Sequence, residues 1–232
     1  MTRLALSLLA CLIVGCAETP LVPAVSPEAL RQRAAALRSE GKSAEAEDLL
    51  GQAIRTQPTQ TRDQRSTAAD LRRELASLRM SADDLAGAER LYREALALLE
   101  EAPRGADAAI INLRTQLAGL CYRQSRFDEA AEFYRTVLSM EVALLGETHP
   151  DPLGTMSILG GLELKRGKLA EAETLFRRQL RGVQQVHGTE KREVTSVLDN
   201  LADVLDKAGQ AAEAARLRAE AARIRRKLCD EC

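Results

Sequence analysis

Tryptophan is absent from this sequence, and aromatic residues of all kinds make up only 3% of its 232 residues. A core without aromatic bulk has to be filled by alanine and leucine, which requires helices that lie close together. Alternating Val/Ile/Thr runs, the pattern of half-buried strands, are missing as well. These absences predict an all-α chain and argue against a fold that contains a sheet.

An excess of charge of one sign is also missing. The chain has 33 Lys and Arg against 34 Asp and Glu, a net charge of −1, whereas a nucleic-acid-binding protein presents a basic face. We therefore expect no nucleic-acid partner. One local excess stands near the C-terminus: Arg216, Arg218, Arg223, Arg225, Arg226 and Lys227. It is interpreted as a solvated terminal helix or as a docking patch for an acidic partner or anionic lipid.

Catalytic motifs are lacking too. The sequence has no Gly-rich phosphate loop, no Gly-x-Ser-x-Gly elbow and no His-Glu-x-x-His. Its two histidines, His149 and His187, are not placed to complete a zinc site with the cysteines. We expect no enzyme activity, no metal, no cofactor and no small-molecule substrate.

What the sequence does have is a repeat of 42 residues in five copies. A small residue recurs at Ala46, Ala88, Ala130, Ala172 and Ala214, and a second one at Ala34, Ala76, Ala118, Gly160 and Ala202. A turn position reads Gly41, Asp83, Ser125, Gly167 and Gly209, and a bulky position reads Leu50, Tyr92, Tyr134, Phe176 and Arg218. A fixed period of this length predicts stacked helical hairpins, each burying its apolar face against its neighbours.

Two segments resemble the tetratricopeptide repeat: LAGLCYRQSRFDEA at residues 117–130 and GKLAEAETLF at residues 167–176. The ordinary repeat has about 34 residues, and the longer period resembles the kinesin-light-chain subtype, whose linker signature stands as LGETHPD at residues 145–151. The resemblance covers residues 27–228. It implies an α-solenoid of five antiparallel helix–turn–helix repeats that binds a protein or peptide segment in a concave groove, without naming the partner.

Three segments carry signals for helix starts. Ser26-Pro27-Glu28 predicts a cap and the first turn of the first repeat. Asp151-Pro152 predicts a second start in the same way, and residues 81–84 resemble a capping box with aspartate in place of glutamate.

The N-terminus has the pattern of a secretory signal peptide at residues 1–15. Arg3 is followed by about twelve mostly apolar residues, too few to span a bilayer as a helix. The stretch ends in IVGC, which resembles a bacterial lipoprotein box with cleavage before Cys16 and lipid on that cysteine. An ordinary signal peptide is the alternative, and Cys11 is a second, weaker lipidation candidate.

Residues 16–26 then form the predicted lipidated cysteine and tether, in which Pro20 and Pro23 favour an extended chain. Several acyl chains on one residue would give stable membrane anchoring. The lipoprotein resemblance, with Ala17 rather than aspartate after the cysteine, implies the outer membrane, facing the periplasm. We expect contact with the membrane through this lipid only.

Residues 229–232 are a C-terminal CxxC tail. Cys229 and Cys232 could form a local disulfide or a disulfide with another chain in an oxidising compartment. A redox or metal role is a further alternative, although a thioredoxin-like role would need a βαβ unit nearby. Cys121, by contrast, is predicted to be a packed small hydrophobe.

The family resemblance places the first helix of each copy along the concave groove. A row of small residues would form its floor: Ala35, Ser77, Gly119, Gly161 and then Asp203. The predicted partner-binding residues are Asn112, Gln116, Tyr122, Arg123, Lys165, Asn200, Asp203 and Lys207. Asn200 matches the asparagine with which the family grips a peptide main chain, whereas Ile158 interrupts that row.

These features together predict a lipid-anchored protein-binding scaffold or assembly factor in the bacterial envelope. A self-associating structural lipoprotein is one alternative, and a non-catalytic regulator of an envelope enzyme is another.

Overall fold

A computed structural model of the chain describes residues 25–101 and 107–230, which form ten helices and no strand. The helices are α1 (Pro27–Ser39), α2 (Ser43–Thr56), α3 (Arg62–Ser81), α4 (Leu85–Glu100), α5 (Asp107–Arg123), α6 (Phe127–Leu145), α7 (Pro150–Lys165), α8 (Leu169–His187), α9 (Arg192–Lys207) and α10 (Ala211–Asp230). Consecutive helices pair as five hairpins, and the second helix of each hairpin packs on the first helix of the next. The predicted all-α solenoid of five repeats is confirmed.

The turn inside each hairpin uses the left-handed backbone region at the position that the period marks. The angle φ is 78° at Gly41, 76° at Gly167 and 79° at Gly209, and it is 60° at Asp83 and Ser125. Residues with a Cβ adopt this conformation only at a cost, whereas glycine adopts it freely. The recurring residue at this position is therefore explained by the positive φ that the turn needs.

The small positions of the repeat are buried between the helices. All five anchor alanines are fully buried, and so is the second small position in every copy. The bulky position is buried in the first four copies and exposed only at Arg218, in the last. Cys121 is buried as predicted, and burial raises the pKa of its thiol.

Helix starts follow the sequence signals only in part. Ser26 caps α1 with Pro27 at its first position, as predicted. The cap of α7 is His149, whose Nδ1 accepts the Asp151 amide at 3.2 Å, so the prediction of Asp151 was wrong by two residues. The capping-box prediction was also wrong, because Ser81 ends α3 and Asp84 alone caps α4.

The basic residues of α10 are largely paired within the molecule. Arg218 binds Asp203 at 2.7 Å and also Asp206, Arg225 binds Asp199, and Glu190 holds both Arg223 and Lys227. These acidic partners lie in α9 and in the segment before it. The C-terminal basic cluster therefore adds ion pairs to the apolar contacts by which the buried Ala214, Ala221 and Ile224 pack α10 on the stack.

No helix in the described ranges combines the length and apolar character that a bilayer crossing needs.

Candidate functional site

The surface of the solenoid is divided here into two faces and two edges. The inner face is formed by the first helices, α1, α3, α5, α7 and α9, and the outer face by the second helices. The turn edge is where the two helices of a hairpin join, and the linker edge is where one hairpin passes to the next. Repeat arrays of this kind use their concave surface for binding.

The inner face is charged at its two ends. In the first two copies Arg31 binds Glu74 at 2.6 Å, and Arg73 binds Asp70 at 3.1 Å. In the fifth copy Asp203 is held by Arg218. These charges are satisfied within the protein.

The middle of the inner face contains a pocket, here called the inner pocket. It has a volume of about 350 Å³, lies between α5 and α7, and is lined by Gly119, Tyr122, Tyr134, Ser157, Ile158, Gly161 and Leu162. Ile158 is 51% exposed and Tyr122 is 44% exposed. A Cβ added at Gly119 or Gly161 would meet nothing within 4 Å, so the two glycines leave the floor open.

Tyr122, in the wall of the inner pocket, belongs to a cationic and aromatic cluster at the turn edge. The Lys165 ammonium donates to the Tyr122 hydroxyl at 3.3 Å and stands 4.7 Å and 4.4 Å from the ring centres of Tyr122 and Phe127. The two rings meet edge to face at 5.5 Å. Each such cation–π contact contributes about 0.5–1 kcal/mol at an exposed site, which holds this wall in place.

The structure places three of the predicted site residues at the turn edge and brings two of them into contact. Tyr122 and Lys165 touch across copies three and four, and Arg123 binds Asp83 of copy two at 2.8 Å. Gln116 is exposed and Asn200 half-buried, one repeat to either side of Ile158. Both amides are thus placed to flank the inner pocket along the face.

The remaining predicted residues lie elsewhere. Asn112 lines a separate pocket of about 320 Å³ between α3 and α5, next to Asp70 and Arg73. Lys207 is exposed at the turn edge of copy five. Cys229 has an exposed free thiol, whereas the lipidation candidate Cys16 and the second tail cysteine, Cys232, lie outside the described residues.

Sequence reasoning missed three residues of this site. In the sequence Ile158 interrupts a polar row, but in the structure it is the exposed apolar centre of the pocket. Tyr134 lines the pocket from α6, and Phe127 packs edge to face against the Tyr122 ring. A large aliphatic residue at a position that is Gln32, Glu74, Gln116 and Asn200 in the other copies was the available signal.

A larger groove lies on the outer face between α6 and α8. Its volume is about 620 Å³, and Leu138, Leu159 and Leu175 form its apolar part. Its arginines are paired: Arg135 binds Glu163 at 2.6 Å, and Arg178 binds Glu147 at 2.5 Å.

The inner pocket offers apolar surface and hydroxyls, and the Lys165 ammonium lies beside it against Tyr122, a combination that suits binding. Within residues 25–101 and 107–230, no three His, Cys, Asp or Glu side chains come together in a way that could hold a metal ion.

Solved structures of similar shape are solenoids of the same kind. A Podosopora anserina kinesin light chain protein with nearly identical TPR-like repeats is 20% identical, with a TM-score of 0.69 over 87% of this chain and 95% of that one. BtubC (BKLC) of P. vanneervenii is 22% identical, with a TM-score of 0.64 over 87% and 80%. MamA is 11% identical, with a TM-score of 0.62 over 88% and 94%. At these identities the likeness shows the fold.

No curated protein matches the sequence. The family model of the tetratricopeptide repeat matches residues 67–141 and 151–227, more than half of the chain. Repeats of this family typically form non-catalytic scaffolds that bind protein or peptide partners. The 42-residue period, the five stacked hairpins and the family match lead to one conclusion: the chain belongs to the tetratricopeptide-repeat family.

Proposed function

We propose that this protein captures a segment of a partner protein on its inner face, with one aliphatic side chain of that segment seated in the inner pocket. The observation that carries the proposal is the contrast along this face. Charged groups at its ends are ion-paired within the protein, whereas Ile158 and Tyr122 at its centre expose apolar surface above an open glycine floor.

The polar groups around the inner pocket fit a peptide main chain. Gln116 and Asn200 each carry an amide with donors and an acceptor, so each can bond a peptide carbonyl or N–H. Gly119 and Gly161 let a bound backbone come close, because no side chain stands between it and the helices. Burying one aliphatic side chain contributes about 1.5–3 kcal/mol.

The setting that we propose is the bacterial envelope. The signal-peptide pattern at residues 1–15 and the lipid box ending at Cys16 support a lipid-anchored protein on the periplasmic side of the outer membrane. Its role there would be that of a scaffold or assembly factor for an envelope machine, or of a non-catalytic regulator of one envelope enzyme.

Self-association through the ends of the stack is the other candidate. In the described part of α10, the side chain at the bulky position is Arg218, and it folds back onto Asp203 and Asp206. A paired arginine in place of an aromatic residue removes the apolar surface that a following copy would cover. This observation favours partner capture on the inner face.

The test compares Gly161→Leu with Gly154→Leu in cells that make the full chain. Both glycines are exposed, both lie in α7, and a Cβ at either meets nothing within 4 Å. Only Gly161 lines the inner pocket. A leucine there should occupy the place of the partner's side chain and weaken capture about tenfold or more, equivalent to about 1.4 kcal/mol. Gly154→Leu should leave capture unchanged.

Capture is measured by cross-linking from a photo-reactive residue placed at position 158. The same residue placed at position 174, in the outer groove, is the control. We expect one partner cross-linked from 158, identified by mass spectrometry and lost in Gly161→Leu. Cross-links that form from 174 and survive Gly161→Leu would move the binding surface to the outer face and overturn the proposal.

A further inference from the structure

One interface between copies carries a buried acid where its neighbours carry aliphatic residues. Glu141 of α6 faces Thr155 of α7, and both are buried. One repeat earlier the same two positions are Leu99 and Leu113, and one repeat later they are Val183 and Val197, all buried. The packing between copies three and four is thus acidic at a place where the two adjacent interfaces use hydrocarbon, and where the first interface has Gln57 and Leu71.

The Glu141 carboxyl is only partly satisfied in this place. The side chain is 6% exposed, the Thr155 side chain lies near it, and Oε2 is buried without a partner. Burying an ionised carboxylate without full hydrogen bonding is costly, so the neutral form is favoured.

Burial has the largest effect on the pKa of the Glu141 carboxyl and outweighs the groups around it. Burial raises the pKa of its carboxyl, the Thr155 hydrogen bond opposes this, Asp151 adds to the rise, and His149 lowers the pKa. On the α5 side, the Arg114 guanidinium donates to the Met140 sulfur at 2.9 Å and to the Glu100 carboxylate at 2.6 Å. As pH rises through the raised pKa of Glu141, the folded interface has to accommodate a buried negative charge, and the stability present at lower pH is lost.

The turn edge of the same interface is held by ion pairs. Glu163 of α7 is 1% exposed and accepts from Arg135 of α6 at 2.6 Å and from Arg166 at 2.5 Å. Arg166 also donates to Asp128 of α6 at 2.6 Å. This network keeps α7 on α6 at the turn edge, while Glu141 and Thr155 lie near the linker edge.

We propose that Glu141 and Thr155 form a pH-sensitive hinge between copies three and four, closed when Glu141 is neutral and opened at the linker edge when it is ionised. The inner pocket spans this interface, because Gly119, Tyr122 and Tyr134 belong to copy three, and Ser157, Ile158 and Gly161 belong to copy four. Opening separates its two walls, so the hinge regulates the binding site, an effect that rests on the proposed function.

The experiment measures amide hydrogen exchange of the full chain between pH 5 and pH 8, corrected for the intrinsic pH dependence of exchange. No ligand is needed, so the result is independent of whether a partner binds at the inner pocket. The aliphatic interface at Leu99 and Leu113, between α4 and α5, is the internal control. We expect local opening at the end of α6 and the start of α7 to increase about fivefold or more, the lower end of typical couplings between sites, with no such step at the control interface.

Two variants and one control decide the assignment. Glu141→Gln keeps the shape of the side chain without a titrating group and should abolish the pH-dependent increase in opening. Glu141→Leu should abolish the increase as well and should slow amide exchange at this interface. Glu171→Gln, an exposed carboxyl in α8, should retain it. A step that persists in Glu141→Gln or Glu141→Leu, or that is equally large at the control interface, would overturn the hinge.

Discussion

Gly160 and Gly161 are neighbours in α7, but each is a glycine for a different reason. A Cβ at Gly160 would stand 2.8 Å from the ring of Phe176, closer than packed atoms approach, whereas one at Gly161 would meet nothing within 4 Å. The other four copies have alanine at the Gly160 position. Gly160 therefore makes room for a buried ring, and Gly161 leaves the inner pocket open.

This difference predicts opposite effects of one substitution at adjacent residues. Gly161→Ala should stabilise the fold by up to about 1 kcal/mol, since alanine is the better helix former. Gly160→Ala has the same gain in helix propensity, but its Cβ overpacks the contact with Phe176, which lowers the free energy of unfolding by about 1–3 kcal/mol. Urea unfolding of both variants measures the difference.

The double variant Gly160→Ala with Phe176→Leu reproduces the pairing of Ala34 and Leu50 in the first copy. It should recover much of the loss, because the smaller side chain relieves the contact. Equal stabilities for the two alanine variants would contradict the contact between Gly160 and Phe176.

At the scale of the element, α10 differs from the other second helices because no described helix follows it. Besides its buried apolar residues, it makes ion pairs with α9 and with Glu190 in the segment before α9. Hydrogen bonds from Lys227 and Arg223 lower the pKa of Glu190 to about 2 from its usual 4.5. Part of what holds α10 is therefore sensitive to acid and to salt.

Acid should loosen α10 before the middle of the stack. A lowered pKa means that the contribution of Glu190 is present above pH 4.5 and is lost as pH falls toward 2. Amide exchange in the last turns of α10 should rise over that window. Glu190→Gln should raise it already at neutral pH and flatten the pH dependence, whereas Glu45→Gln, an exposed acid in α2, should change neither. Uniform loosening of all five hairpins would contradict this view of α10.

At the scale of the whole molecule, the proposed lipid and tether would set where the inner face can act. Residues 17–26 contain Pro20 and Pro23, and ten extended residues reach on the order of 30 Å at about 3.1 Å each. A partner bound at the inner pocket would then lie close to the membrane surface without being in it.

Cys16→Ala should abolish lipid attachment and leave the precursor uncleaved by the lipoprotein-specific peptidase. Labelling cells with a fatty-acid analogue measures this, with Cys121→Ala as the control that should label as fully as the unaltered chain. Undiminished labelling of Cys16→Ala would rule out this site and point to Cys11.

Much of the fold could be predicted from the period alone. The turn positions from Gly41 to Gly209, the buried anchor alanines and the exposed Arg218 all lie where the 42-residue spacing put them. The helix starts were less certain. Asp151 satisfies the sequence rule for a cap, but the chain enters α7 two residues earlier, and His149 takes that place.

The candidate site was predicted less well than the fold. The 42-residue period in the sequence predicted that small residues, among them Gly119 and Gly161, form the floor of the groove. That Lys165 reaches back to Tyr122 and Phe127, and that Ile158 is exposed between them, was not. Each of these contacts joins two copies, so it depends on how one hairpin is rotated against the next.

The sequence by itself determined the number of hairpins, their helical class, their turns and the residues that each hairpin buries, because a strict repeat imposes the same local packing five times. The tertiary structure decided which charges neutralise one another, which apolar residues stay exposed and where a buried acid meets a neighbouring copy. Those outcomes depend on the angle and distance between hairpins, which follow from the summed packing of side chains across each interface and from no single local pattern.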